Sequence, residues 1–132
     1  MSYTLNKQVD GEFDAVVATT VDALEAEGFG VLCDIDVQGT FAAKLDEDFR
    51  RYRILGACNP RLAREALGAE PELGALLPCN VVVDETDERT VTVRAVDPER
   101  LLAVAENPAL DDVAADVRER FERVLTTVAE TG

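Results

Sequence analysis

Two cysteines stand where thiol chemistry is geometrically available. Cys58 precedes Asn59-Pro60, and Cys79 follows Pro78 and precedes Asn80. Tyr52 to Cys58 and Cys79 to Glu85 have strand-forming composition, so Cys58 closes one strand and Cys79 opens the next. If those strands pair antiparallel, the end of the first lies beside the start of the second. Directly opposed residues have Cα atoms about 4.5–5.5 Å apart, near the span of a disulfide. Asn59 is a good N-cap and Pro60 suits the first helical position, which sets Cys58 just before a helix N-terminus. Exposed N–H groups at such a terminus favour a thiolate. Lys44 is one of two lysines beside eleven arginines, and it adds a cation if its short helix folds over this edge. The candidate thiol or binding site is therefore Cys58, Cys79, Asn59, Asn80 and Lys44.

A plainer account competes with it. Asn59 and Asn80 also serve as ordinary capping and turn residues, and Pro60 and Pro78 bound a connector under which both cysteines pack. No CxxC or histidine accompanies them, and acidic surroundings push a thiol pKa upward. Three readings stay open, in decreasing weight: structural or pocket-lining cysteines, redox or covalent thiol chemistry, and soft-metal binding. Cys33 alternates with Val31 and Ile35 and is expected as a buried small hydrophobe.

Absences narrow the chemistry. A chain without histidine cannot build a Ser-His-Asp or Cys-His pair or a His-ligated metal within one subunit. Three cysteines are too few for a Cys₄ zinc site or an iron–sulfur cluster, and no phosphate-binding glycine loop is present. No cofactor and no catalytic motif is implied.

The elements that must position these residues follow from periodicity. Ser2 to Val9 alternates as a strand, with Tyr3, Leu5, Lys7 and Val9 on one face. After Asp10-Gly11, Phe13, Val16, Val17, Thr20, Val21 and Leu24 recur at helical spacing, and Gly28 ends that helix. Val31 to Asp36 reads as a second strand, and Val37, Phe41 and Leu45 as a short helix carrying Lys44. The third strand, Tyr52 to Cys58, leads into a helix reaching about Leu67, then a connector from Gly68 to Pro78. Cys79–Glu85 and Thr90–Val96 form a hairpin around an acidic turn. Asp97-Pro98 opens another short helix, and Leu110, Val113, Ala114, Val117, Phe121, Val124, Leu125 and Val128 define the strongest helix. Strict β/α alternation fails at the hairpin, which argues against a doubly wound parallel sheet. The expected fold is α+β: a two-layer sandwich of a mainly antiparallel five-stranded sheet with helices on one face. The second face must be polar or paired, and Val82 and Val96 at outward positions hint at a partner.

Charge speaks of solvent more than of chemistry. The 132 residues carry 27 acids against 13 bases, for a net charge of −14. Nucleic acid and anionic membrane are excluded as partners, because both need a basic footprint. Carboxylates spread along the whole chain fit a halophilic protein, since in molar salt a Debye length of ~3 Å removes the self-repulsion; an ordinary acidic surface is the alternative. Asp46-Glu47-Asp48 and Asp84-Glu85-Thr86-Asp87-Glu88 lack the calcium-loop spacing and its glycine, so they read as solvated faces. No apolar leader follows Met1 and no run approaches the ~18 apolar residues of a membrane span. One cytoplasmic domain over residues 1–132 is expected.

From Tyr52 the chain runs Tyr-Arg-Ile-Leu-Gly-Ala-Cys-Asn-Pro to Pro60, and then Leu62-Ala63, Ala66-Leu67, Pro71, Gly74 and Leu76-Leu77-Pro78-Cys79-Asn80-Val81-Val82-Val83. With Gly28-Phe29-Gly30-Val31, Lys44 and Asp97-Pro98, this pattern resembles domain-of-unknown-function family 302, in which a CNP motif and an LPC motif stand at this separation. The resemblance implies a β-α-β4-α fold of the TATA-binding-protein-like class and a homodimer, and no established activity; Cys33 lies outside the pattern. Two functions remain in view. One is a non-enzymatic domain binding a small-molecule ligand or a protein partner. The other is a thiol-dependent redox or sulfur-handling protein using Cys58 and Cys79.

Overall fold

The computed structural model describes residues 2–131, so Met1 and Gly132, the ends of the single-domain expectation, lie outside the described residues. The elements run β1 (Thr4–Asp10), α1 (Phe13–Ala26), β2 (Gly30–Asp36), α2 (Val37–Leu45), β3 (Tyr52–Cys58), α3 (Pro60–Ala69), β4 (Cys79–Asp87), β5 (Thr90–Val96), α4 (Pro98–Ala103) and α5 (Asp111–Thr131). The five strands form one antiparallel sheet in the order β1-β5-β4-β3-β2. Helices α1 and α5 pack together against one face of it. The architecture is the α+β two-layer sandwich expected from periodicity.

Local chemistry sets the boundaries. The Glu12 carboxylate accepts from the N–H groups of Asp14 and Ala15 at 3.1 and 2.9 Å, capping α1 two residues beyond Asp10. At the other end Phe29 N–H donates to Leu24 O and Gly28 N–H to Glu25 O, each at 3.0 Å. This pair of hydrogen bonds closes α1 as a Schellman turn, and it demands the left-handed backbone that Gly28 supplies at φ +88°. Asn59, Asp97 and Asn107 each cap the turn that a proline opens immediately after them.

Period-two alternation divides the sheet cleanly. Leu55, Val81, Val83, Val91 and Val93 face the helices and are fully buried. Phe121 and Phe29 meet there with ring centroids 4.9 Å apart. On the other side Ile35, Ile54, Val82, Arg94 and Asn6 lie in one row across all five strands.

The structure departs from the sequence expectation in three places. Cys33 is exposed, not buried. A bulge between Val31 and Cys33 advances the pairing, so that Val31 opposes Ala57 and Cys33 opposes Gly56; one extra residue turns the rest of the strand to the other face. Asp84, read as part of a solvated acidic run, is fully buried. It sits mid-sheet, clasped by Arg50 at 2.7 and 3.2 Å and by Arg94 at 2.7 Å. Burial pushes this carboxyl up, but the arginine hydrogen bonds outweigh that effect and hold it below the usual range.

The third departure is α2, which has no buried residue. It follows Asp36, and Asp36 pairs with Arg53, whereas Cys58 pairs with Gly30 at the far end of the same β2–β3 ladder. Five residue steps along β3 separate the two ends, roughly 17 Å of strand. Gln38 Nε2 donating to Phe49 O at 3.0 Å and an edge-to-face contact of Phe41 on Phe49 hold the helix to its corner.

Candidate functional site

Pairing of β3 with β4 brings the two cysteine motifs together, with Ala57 opposite Cys79 and Gly56 opposite Asn80. Cys58 is thus one residue past the partner of Cys79. The segment from Asn59 to Pro78 must leave one strand and return to its neighbour, and it does so through α3 and a 3₁₀ turn at the end of these two interior strands. Helix α3 turns Leu62 and Ala66 inward, and the short 3₁₀ turn Pro71–Leu76 adds Leu73. Under this connector lies a cavity of about 50 Å³. Its walls are almost wholly apolar: Phe29, Leu62, Leu73, Leu77, Val113 and Val117 among them. Cys58, Cys79 and Asn59 contribute the polar groups.

Asn59 is held from two sides. Its Oδ1 accepts from Leu62 N–H at 3.2 Å as the α3 cap. Its Nδ2 lies against Gly28, where an added Cβ would come within 2.9 Å of it. Arg120 Nη1 donates to Glu27 O at 2.8 Å beside the same glycine, and its Nε to Asp116 at 2.6 Å. The C-terminus of α1, the start of α3 and the middle of α5 therefore converge on one wall. Gly56 is equally constrained, since a Cβ there would meet Cys33 Sγ at 2.5 Å and the Pro78 ring at 2.8 Å.

Burial pushes the Cys79 thiol up from an ordinary 9.0 to about 11, and neighbouring Cys58 adds to the shift. At neutral pH Cys79 is a protonated thiol, a weak nucleophile and a poor metal ligand. All three cysteines are unbridged. Among the described residues no group of three or more His, Cys, Asp or Glu side chains converges to hold a metal ion.

Of the five residues singled out from sequence, Cys58, Cys79 and Asn59 share the cavity. Asn80 is exposed and opposes Gly56, and Lys44 belongs to α2 at the far end of the β2–β3 ladder; neither lines it. Phe29, Leu73, Val113 and Val117 escaped notice as wall residues because they are ordinary members of apolar stripes. Only Phe29, next to the capping Gly28, carried a positional signal.

These features define a class: a small antiparallel α+β sandwich with a cysteine-edged apolar cavity beneath the β3–β4 connector. The chain belongs to the DUF302 family, described as a domain of unknown function, whose family model matches residues 5–128. It is similar to the crystal structure of an uncharacterized conserved DUF302 protein from Bacillus stearothermophilus, with a TM-score of 0.89 and 28% identity, covering 97% of this chain and 99% of that one. None of the curated proteins matches it. Among the described residues no helix is long and apolar enough to cross a membrane.

Proposed function

We propose that the chain is a non-enzymatic domain that binds a small apolar ligand in the cavity beneath the β3–β4 connector. The observation that carries this reading is the wall chemistry: apolar side chains from α3, α4, α5, the 3₁₀ turn, the end of β3 and the segments beside them, interrupted by two thiols and one carboxamide. Ligand sites generally combine an apolar lining with a few placed polar groups. At about 50 Å³ the space admits a molecule of a few heavy atoms and falls well short of the ~300 Å³ typical of drug-sized ligands. The redox reading needs a ready thiolate, and the raised pKa of Cys79 weighs against it.

A short alcohol such as 1-butanol, with an apolar tail and one polar end, is a suitable probe. Titration should move the methyl resonances of Ala57, Ala63 and Ala66 saturably, and Ala63→Leu should abolish the response by filling the space. Methyl signals that do not shift at millimolar 1-butanol, or shift equally in Ala63→Leu, would remove the ligand-binding reading.

The acidic composition supports a halophilic setting, and the family resemblance supports a homodimer. With a net charge of −14, unscreened carboxylate repulsion opposes folding at low salt. The melting temperature should rise steadily from 0.05 M to 2 M salt. A flat profile would count against the halophilic setting and leave the ligand site untouched.

A further inference from the structure

The sheet face turned away from α1 and α5 holds a charged centre whose charges do not cancel. Asp84 is fully buried there. Arg50 alone satisfies both of its oxygens, with Nε donating to Oδ1 at 2.7 Å and Nη2 to Oδ2 at 3.2 Å. Arg94 adds a second cation, its Nη1 donating to the same Oδ2 at 2.7 Å. Two guanidiniums thus stand side by side on one carboxylate, and a positive charge is left over. Among the described residues no other carboxylate lies within ion-pair distance of either arginine. Arg94 pairs across the sheet with Val82 and Asn6, and Thr92 and Val96 flank it along its own strand, all uncharged.

The unused part of the cluster is a fork. Arg94 spends only Nη1 on Asp84, so its Nε–Nη2 edge has no partner among the described residues. Two parallel N–H groups on one edge are the geometry that takes a carboxylate in a bidentate pair. Asp84 holds this guanidinium in place, yet a third of the Arg94 side chain stays exposed. From Arg94 a row of Val82, Ile54 and Ile35 runs across three strands to the β2 edge. Val82 and Ile54 are half-buried and Ile35 is exposed, so an apolar strip leads away from the cation. Arg50, lying over the rings of Phe49 and Tyr52 at 4.8 and 5.8 Å, fills the neighbouring row and borders the strip.

We propose that this face binds a small monocarboxylate with an apolar tail, its head on the Nε–Nη2 edge of Arg94 and its tail along Val82 and Ile54. The surplus charge calls for an anion, the planar fork suits its carboxylate, and the uncharged row suits a hydrocarbon tail. The net charge of −14 turns away polyanions, which need a basic footprint. A single carboxylate in contact with Arg94 feels the local cations first, because physiological salt screens the distant acids within ~8 Å. The site is separate from the cavity beneath the β3–β4 connector, which lies on the helix side of the sheet and whose apolar walls would leave a carboxylate unpaired.

NMR of the arginine Nε–H groups and of the Val82 and Ile54 methyls reads head and tail separately. At 0.15 M NaCl, millimolar sodium hexanoate should move Arg94 Nε–H and both sets of methyls saturably, while the cavity methyls of Ala63 and Ala66 stay still. A methylene laid on apolar surface gains about half of full burial, roughly twofold in affinity, so hexanoate should bind about 15-fold tighter than acetate. Arg94→Lys keeps a cation on Asp84 but removes the fork, and it should weaken hexanoate at least tenfold with the fold intact by circular dichroism. Val82→Ser should remove most of the preference for hexanoate and leave acetate binding unchanged. Inorganic phosphate fits the fork but not the strip, and it should compete only weakly. The absence of a saturable shift, or shifts confined to the cavity methyls, would overturn the site. Phosphate or chloride matching hexanoate, with Arg94→Lys binding as well as wild type, would mean an adventitious ion only and overturn it equally. Equal affinity for acetate and hexanoate would overturn the apolar-tailed ligand class.

Discussion

Phe121→Ala should cost about 3–5 kcal/mol of folding stability, the range for deleting a large side chain from a closed core. Phe121 is fully buried and lies on the inward stripe of α5 with Val117, Val124 and Val128. Its ring is tilted 31° against that of Phe29 at 4.9 Å, so truncation removes an aromatic pair as well as buried area. Collapse around the void is restricted, because α5 is tied to α1 through Arg120 on Glu27 O and Arg123 on the Glu27 carboxylate. Urea denaturation in molar salt should show a lower midpoint with an unchanged slope, the signature of lost stability without a change in exposed surface. A loss below 1 kcal/mol would mean that α5 does not pack through this face.

Phe121 also illustrates what one sequence makes legible. Long amphipathic elements announce themselves, and the buried stripe of α5 is the one its 3.6-residue period marks out. The same holds for Asn59-Pro60 and Asp97-Pro98, where a cap and a proline state a boundary in two residues. The bulge in β2 is different. A single inserted residue leaves Val31, Cys33 and Ile35 looking like one face, and only the pairing partners Ala57 and Gly56 show that the face changes.

Asp84 escaped for a related reason. An acidic run looks solvated until the register sets one of its members mid-sheet between two arginines distant in sequence. The placement of Lys44 near Cys58 overlooked a constraint already available. A helix that follows β2 must start at the end of the β2–β3 ladder opposite Gly30 and Cys58. The nearness of Cys58 and Cys79 was legible because a strand end, a helix cap and a proline-bounded return leave few ways to join antiparallel neighbours. The cavity between them was not, since Leu73, Val113 and Val117 are the same residue types that fill any core.

The stability of the protein should fall by about 2.4 kcal/mol between pH 8.5 and pH 11.5 through Cys79 alone. Folding raises this thiol from 9.0 to about 11, with burial as the larger cause and Cys58 the smaller. The unfolded chain releases the proton near the ordinary value, while the folded chain holds it until about pH 11. Stability from this group is therefore complete below about pH 9 and is lost as pH rises through the folded value. Two pH units at ~1.36 kcal/mol each give about 2.7 kcal/mol in full, of which about 2.4 falls within this interval. The quantity to measure is the wild-type stability minus that of Cys79→Ala, followed across pH. That difference should shrink by about 2.4 kcal/mol on going from pH 8.5 to pH 11.5, whatever constant packing cost the substitution carries. Maleimide labelling provides the kinetic counterpart: exposed Cys33 should react at pH 7.5, while Cys79 stays protected in the folded protein. A difference that does not change with pH, together with prompt labelling of Cys79 at neutral pH, would show a ready thiolate at the cavity wall. In that event the thiol-dependent reading of Cys58 and Cys79 would displace the ligand-binding one.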